Sequence, residues 1–139
     1  MIFNFIKYNH AFLLHILQER ELFAKGGTES VGIFRLAPDK DECDYVRKKL
    51  DSGTYDGMAD VNVVANLIKV FFRELPPNLL NVVDEDCLVE AAAMDSKTVG
   101  LVIEAIPEPN RSVLLWLIDL MCKIIMNDDI NKMGVRNMA

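Results

Sequence analysis

The sequence predicts an all-α fold, a single-domain helical bundle of about six to seven helices around one core. Three observations point there. Apolar residues recur at helical spacing nearly everywhere. No hairpin-type turn separates alternating apolar and polar segments, so strand signals are weak. Capping and breaking residues bracket stretches of helical length. A chain of 139 residues has room for one hydrophobic core, and residues 1–139 are read as one domain.

Taken in order, Asn9 is placed to cap a helix through AFLLHILQERELFAK, and Gly26 and Gly27 are placed to stop it. TESVGIFRLAP then reads as an irregular loop. Pro38 suits the first turn of the next helix, DKDECDYVRKKL. Asp39, Asp41 and Glu42 stand at its start and Arg47, Lys48 and Lys49 at its end, the order the helix dipole favours, with Gly53 just beyond. Asp60 is a candidate cap for VNVVANLIKVFFREL. There Val64, Leu67, Ile68, Phe71 and Leu75 share a stripe suited to burial, and Asn62, Asn66, Lys69 and Arg73 form a polar stripe on another face. Pro76 and Pro77 end that helix. Helical patterns resume over residues 84–93, 96–106 and 109–126, and a further one begins in NKMGVRNMA.

Composition narrows the function. The formal charge of −6 opposes wholesale binding to nucleic acid or anionic membranes, both of which need a cationic field. Cys43, Cys87 and Cys122 are odd in number and far apart, with no CxxC pair and no Cys/His cluster, so neither a disulfide framework nor a zinc site is readable. They are expected to be buried free thiols in a reducing compartment. The most apolar stretch, residues 113–126, is too short to span a bilayer and is interrupted by Asp119 and Lys123. MIFNFIKYNH lacks the plan of a signal peptide. A cytoplasmic location without direct membrane insertion is the expectation.

No GxxxxGK[ST], GxGxxG or GxSxG motif occurs, so the chain does not read as an NTPase, a dinucleotide binder or a hydrolase in its own right. His10 and His15 are five apart and read as surface or boundary residues of the first helix. The unusual feature is Arg35. It lies in GIFR, where Ile33 and Phe34 would anchor the loop and present the guanidinium outward. A planar fork of five donors matches a phosphate or a carboxylate. From residue type alone it serves equally as a surface arginine or as a pin for its own loop. Lys69 and Arg73, an i, i+4 pair of like charge, suit either a solvated stripe or a binding face.

Together and in order, SVGIFRLAPDKDECDYVRKKLDSG, ANLIKVFFRELPPNLL and IPEPNRSVLLWLIDLMCKII followed by NKMGVRNMA resemble the signature blocks of the Rho-type GTPase-activating (RhoGAP) domain family. The resemblance covers residues 12–139 and is strongest to plant and amoeba forms acting on Rac- or Rop-like GTPases. It implies a GTPase-activating protein for Rho/Rac/Cdc42-type small GTPases in their GTP-bound form. By it, Arg35 falls on the arginine finger, inserted in trans to neutralise charge on the transferring phosphoryl group. It further implies that Lys69 contacts the GTPase near its switch regions, that Arg73 braces the finger loop and that Asn137 hydrogen-bonds the GTPase surface. Asn131 is read as a cap for the final helix.

The resemblance makes the chain an activator rather than an enzyme. By the same resemblance no metal or cofactor of its own is expected, since GTP and magnesium would belong to the partner. Two departures stand out. The last block stops at Ala139, where the family continues into further helices, so C-terminal helices are expected to be missing. Val31 stands where the family usually has glutamate before GIFR, and AKGGTESVG replaces the usual glycine-and-leucine turn. The alternative is a non-catalytic GTPase-binding or protein-interaction module of the same fold.

Overall fold

A computed structural model describes residues 16–75, 77–93 and 95–139, with the backbone alone at 16, 18 and 19. The described residues are helical, without a strand. A π-helical segment, Ile16–Phe23, and a 3₁₀ turn, Gly27–Glu29, precede seven α-helices: α1 (Lys40–Asp51), α2 (Val61–Glu74), α3 (Glu85–Ala92), α4 (Ser96–Ala105), α5 (Asn110–Ile125), α6 (Asp128–Asn131) and α7 (Val135–Met138). The Asn9 cap, both histidines and Pro76 lie outside the described residues. None of the described helices is long and apolar enough to cross a membrane.

The chain divides into two compact units. The described residues up to Phe71 with Leu120–Ala139 form the first, and Phe72–Asp119 the second. In the first, the opening segment bonds in the wide i→i+5 pattern instead of the α-helix its spacing suggests. Leu17 and Leu22, five residues apart, are both buried, and i→i+5 bonding puts residues so spaced on one face. Gly27 follows closely: a β-carbon there would stand 2.6 Å from the Leu22 carbonyl oxygen. Lys25 then ties this segment to the loop before α2. Its Nζ meets Glu21 at 2.5 Å and donates to the carbonyls of Gly57 (2.6 Å) and Ala59 (2.9 Å). The buried Glu21 carboxylate also accepts the Tyr55 hydroxyl at 2.6 Å.

Asp39, rather than Pro38, begins α1: its carboxylate accepts the Glu42 N–H at 2.9 Å, and Pro38 precedes the cap. A proline can occupy the first turn, but an aspartate satisfies an orphan donor there, so the cap sets the boundary. At the other end Gly53, at φ 69°, allows the paired bonds of a Schellman motif. These run from Gly53 N–H to the Leu50 carbonyl (3.2 Å) and from Thr54 N–H to the Lys49 carbonyl (2.9 Å). The Asp60 carboxylate accepts the Asn62 N–H at 2.8 Å and starts α2. This helix buries Val63, Val64, Ala65, Leu67, Ile68 and Phe71 and keeps Asn62, Asn66 and Lys69 half-exposed, as its two stripes require.

Within the second unit, Asp84 caps α3 and Asp95 caps α4, each accepting a backbone N–H from the first turn. Phe72 stacks on Trp116 with ring centres 6.0 Å apart. Asn110 donates to the Leu79 carbonyl at 2.8 Å. The cysteines correct an expectation. Only Cys43 is buried, which pushes its thiol pKa up; Cys87 is half-buried and Cys122 exposed. On α5, Leu120 and Ile124 are buried, and a residue two positions from each falls on the opposite side of the helix.

Candidate functional site

The loop around Arg35 is built from successive turns. Ile33 N–H donates to the Ser30 carbonyl (3.1 Å), and Arg35 N–H donates to the Gly32 carbonyl (2.9 Å). The third residue of each turn has positive φ, as in type II turns: Gly32 at 74° and Phe34 at 65°. Glycine adopts this freely. For phenylalanine it costs on the order of 1–3 kcal/mol. The strained residue is the one immediately before Arg35.

Three contacts hold that conformation. Ile33 is wholly buried, worth about 1.5–3 kcal/mol in apolar burial. Lys69 Nζ, from α2, donates to the Phe34 carbonyl at 2.8 Å, a charge-assisted bond of about 1.5–3 kcal/mol. Gly32 N–H donates to the Asn131 carbonyl at 2.8 Å. The first two contributions are each comparable to the strain, and a residue so strained persists only where its surroundings over-determine it.

Arg35 itself is exposed, and its side chain makes no hydrogen bond or ion pair to another described residue. Of the readings open at the sequence level, the pin for its own loop has no partner among the described residues. Val31 and Leu36 flank it, 60% and 52% exposed. A guanidinium projecting from a tied backbone, between apolar side chains, is suited to an anion that lies on another molecule.

The remaining candidates fall as follows. Lys69, which the resemblance set against a GTPase, donates from its ammonium to the loop that carries Arg35. Arg73 is exposed one turn further along α2. Asn137, on α7, is exposed, and its Nδ2 donates to the Lys132 carbonyl at 2.9 Å. Asn131 does not cap the final helix. Gly134 occupies that position without a side-chain bond, while the Asn131 side chain donates to the carbonyls of Thr28 (2.8 Å) and Ile124 (2.7 Å). Its partner Thr28 is 103 residues away, so no local spacing signals the contact. No group of three or more His, Cys, Asp or Glu that could hold a metal occurs among the described residues.

Comparison with known proteins addresses the same segments. The RhoGAP domain model matches residues 16–139. Rho GTPase-activating protein gacA of Dictyostelium discoideum is 32% identical over 123 residues, covering 88% of this chain and 36% of that protein. Rho GTPase-activating protein 5 of Arabidopsis thaliana is 35% identical over 127 residues (91% and 38%). Rho GTPase-activating protein 2 of Arabidopsis thaliana is 35% identical over 130 residues (91% and 29%). The chain therefore spans well under half the length of these curated relatives. With an all-α architecture and a match that extends from the opening helix through α7, this chain belongs to the RhoGAP domain family.

Proposed function

We propose that this chain is a GTPase-activating domain for Rho/Rac-family small GTPases and that Arg35 is the arginine finger it inserts in trans. The observation that carries the reading is Arg35, exposed and without a hydrogen bond or ion pair to another described residue, directly after a strained Phe34 on a loop tied to the domain at Gly32, Ile33 and Phe34.

As the γ-phosphoryl group passes to water, negative charge spreads over its oxygens and the departing β–γ bridge. A guanidinium delivered there stabilises the transition state more than the ground state. Because the loop is ordered beforehand, little conformational freedom is lost on insertion. Val31 and Leu36, exposed near it in the sequence, would cover the partner's nucleotide site and exclude water from it. The Phe34 carbonyl, already engaged by Lys69, supports assigning Lys69 to the loop's stiffness. Asn137, exposed, is assigned to the GTPase-facing surface. Nucleotide and magnesium are the partner's, so the chain contributes one side chain and no cofactor.

Single-turnover hydrolysis by GTP-loaded Rho, Rac and Cdc42-type GTPases tests this. Arg35→Ala is expected to lower the stimulated rate by about 10²-fold or more while weakening binding much less. An Arg35→Ala chain as fast as the parent would end the finger assignment.

A further inference from the structure

We infer that Asn131 is a positioning residue for the reaction: it holds the finger loop in register and so sets where Arg35 stands. The inference rests on the finger reading above.

Asn131 is wholly buried at the end of α6 and uses each kind of polar atom it has. Its Nδ2 donates to Thr28 at the start of the loop and to Ile124 on α5, at 2.8 and 2.7 Å. Its Oδ1 accepts the Met133 N–H at 2.7 Å. Its main-chain carbonyl accepts the Gly32 N–H at 2.8 Å, and the Gly32 carbonyl accepts both Arg35 N–H and Leu36 N–H, each at 2.9 Å. Asn131 therefore reaches the finger backbone through one intervening residue, while gripping the loop's other end at Thr28. A buried amide with all its partners in place specifies one geometry, since any displacement leaves a donor or acceptor unpaired away from water. Lys69 holds the loop from α2 and Asn131 from α6; the lysine acts on the Phe34 peptide, the asparagine on the turns before it. Only the first carries charge, so Asn131 works by alignment and not by adding positive potential at the nucleotide.

Asn131→Asp is the informative change. It retains an acceptor for Met133 but cannot donate to Thr28 or Ile124. Two measurements separate positioning from bulk stability. The first is the hydrolysis rate of a GTP-loaded Rac-type GTPase at saturating chain. The second is affinity for the same GTPase carrying either a non-hydrolysable GTP analogue or GDP with aluminium fluoride, a mimic of the transferring phosphoryl group. We expect the saturating rate and the affinity for the fluoride form to fall about tenfold or more. Affinity for the GTP-analogue form should change by less than about threefold. Equal loss of affinity for both forms, or an unchanged saturating rate, overturns the inference. Arg35→Ala in the same assay distinguishes the levels: if it leaves the saturating rate at the parent value, the finger reading has failed and this inference with it.

If Asn131→Asp does not fold, Gly32→Ala probes the same link from the other side. It leaves the Asn131 side-chain bonds in place, but a β-carbon at φ 74° meets Leu36 Cγ at 3.0 Å. The same selective loss is expected, and a parental saturating rate for Gly32→Ala overturns the inference.

Discussion

In the first unit α2 buries six residues between Val63 and Phe71, whereas in the second unit α4 buries none. Both sequences are rich in apolar residues at helical spacing: VNVVANLIKVFF in one, SKTVGLVIEA in the other. In the second unit Leu101 of α4 is exposed, and a cavity of about 400 Å³ lies between residues 82–87 and 98–106. Apolar periodicity thus shows that a helix forms, but not that its face is covered. The strained loop belongs to the well-packed unit. That is the physical requirement, because a residue held in an unfavourable backbone region needs surroundings that over-determine it.

The contrast can be broken by paired substitutions. The largest expected difference is between Ile68→Ala and Leu101→Ala. Ile68 is 1% exposed and Leu101 59%. Denaturant unfolding should show a loss of about 2–5 kcal/mol for the first and about 0.5 kcal/mol or less for the second. Equal losses would mean that the second unit depends on α4 as strongly as the first depends on α2.

Glycines give a sharper and smaller contrast. Gly27→Ala would push a methyl group to 2.6 Å from the Leu22 carbonyl and should destabilise by about 1–3 kcal/mol. Gly100→Ala, in the middle of α4 with nothing within 4 Å, should stabilise by about 0.5–1 kcal/mol through helix propensity. Thermal melts of the two variants should therefore move in opposite directions.

The smallest effect is one of pH. Burial, followed by the bond to Glu21, pushes the Tyr55 phenol pKa above its ordinary 10.0. The folded state then holds its proton more tightly than the unfolded chain does. Its contribution is whole below pH 10 and declines as pH rises from there through the folded value. Tyr55→Phe should be less stable at neutral pH, from the lost bond to Glu21, yet show a shallower decline between about pH 10 and 11. Identical alkaline slopes for the two proteins would refute the buried environment of Tyr55.

Much of the architecture was legible. The α2 stripes, the Asp60 cap, the Gly53 stop and the dipole-matched charges of α1 all depend on neighbours within a few residues, and local chemistry decided them. The π-helical opening was not legible, since two turns of apolar spacing do not separate i→i+4 from i→i+5 bonding. Exposure of Cys122 escaped notice because residue type sets only a tendency, and the helix face sets the outcome. Within the site, Arg35 was visible through its anchored loop. Lys69 was visible as a cation but not as the loop's support, because its acceptor is the Phe34 main chain.

By itself the sequence determined which segments are helical, where most of them start and stop, and which arginine stands on a loop between apolar anchors. These are short-range matters of periodicity, capping and turn chemistry. Only the tertiary structure decided that Phe34 takes a left-handed backbone, that Lys69 and Asn131 converge on the Arg35 loop, and that α4 fully buries none of its apolar residues. Those outcomes depend on groups far apart in the sequence, and a hydrogen bond to a main-chain carbonyl leaves no mark on the residue that accepts it.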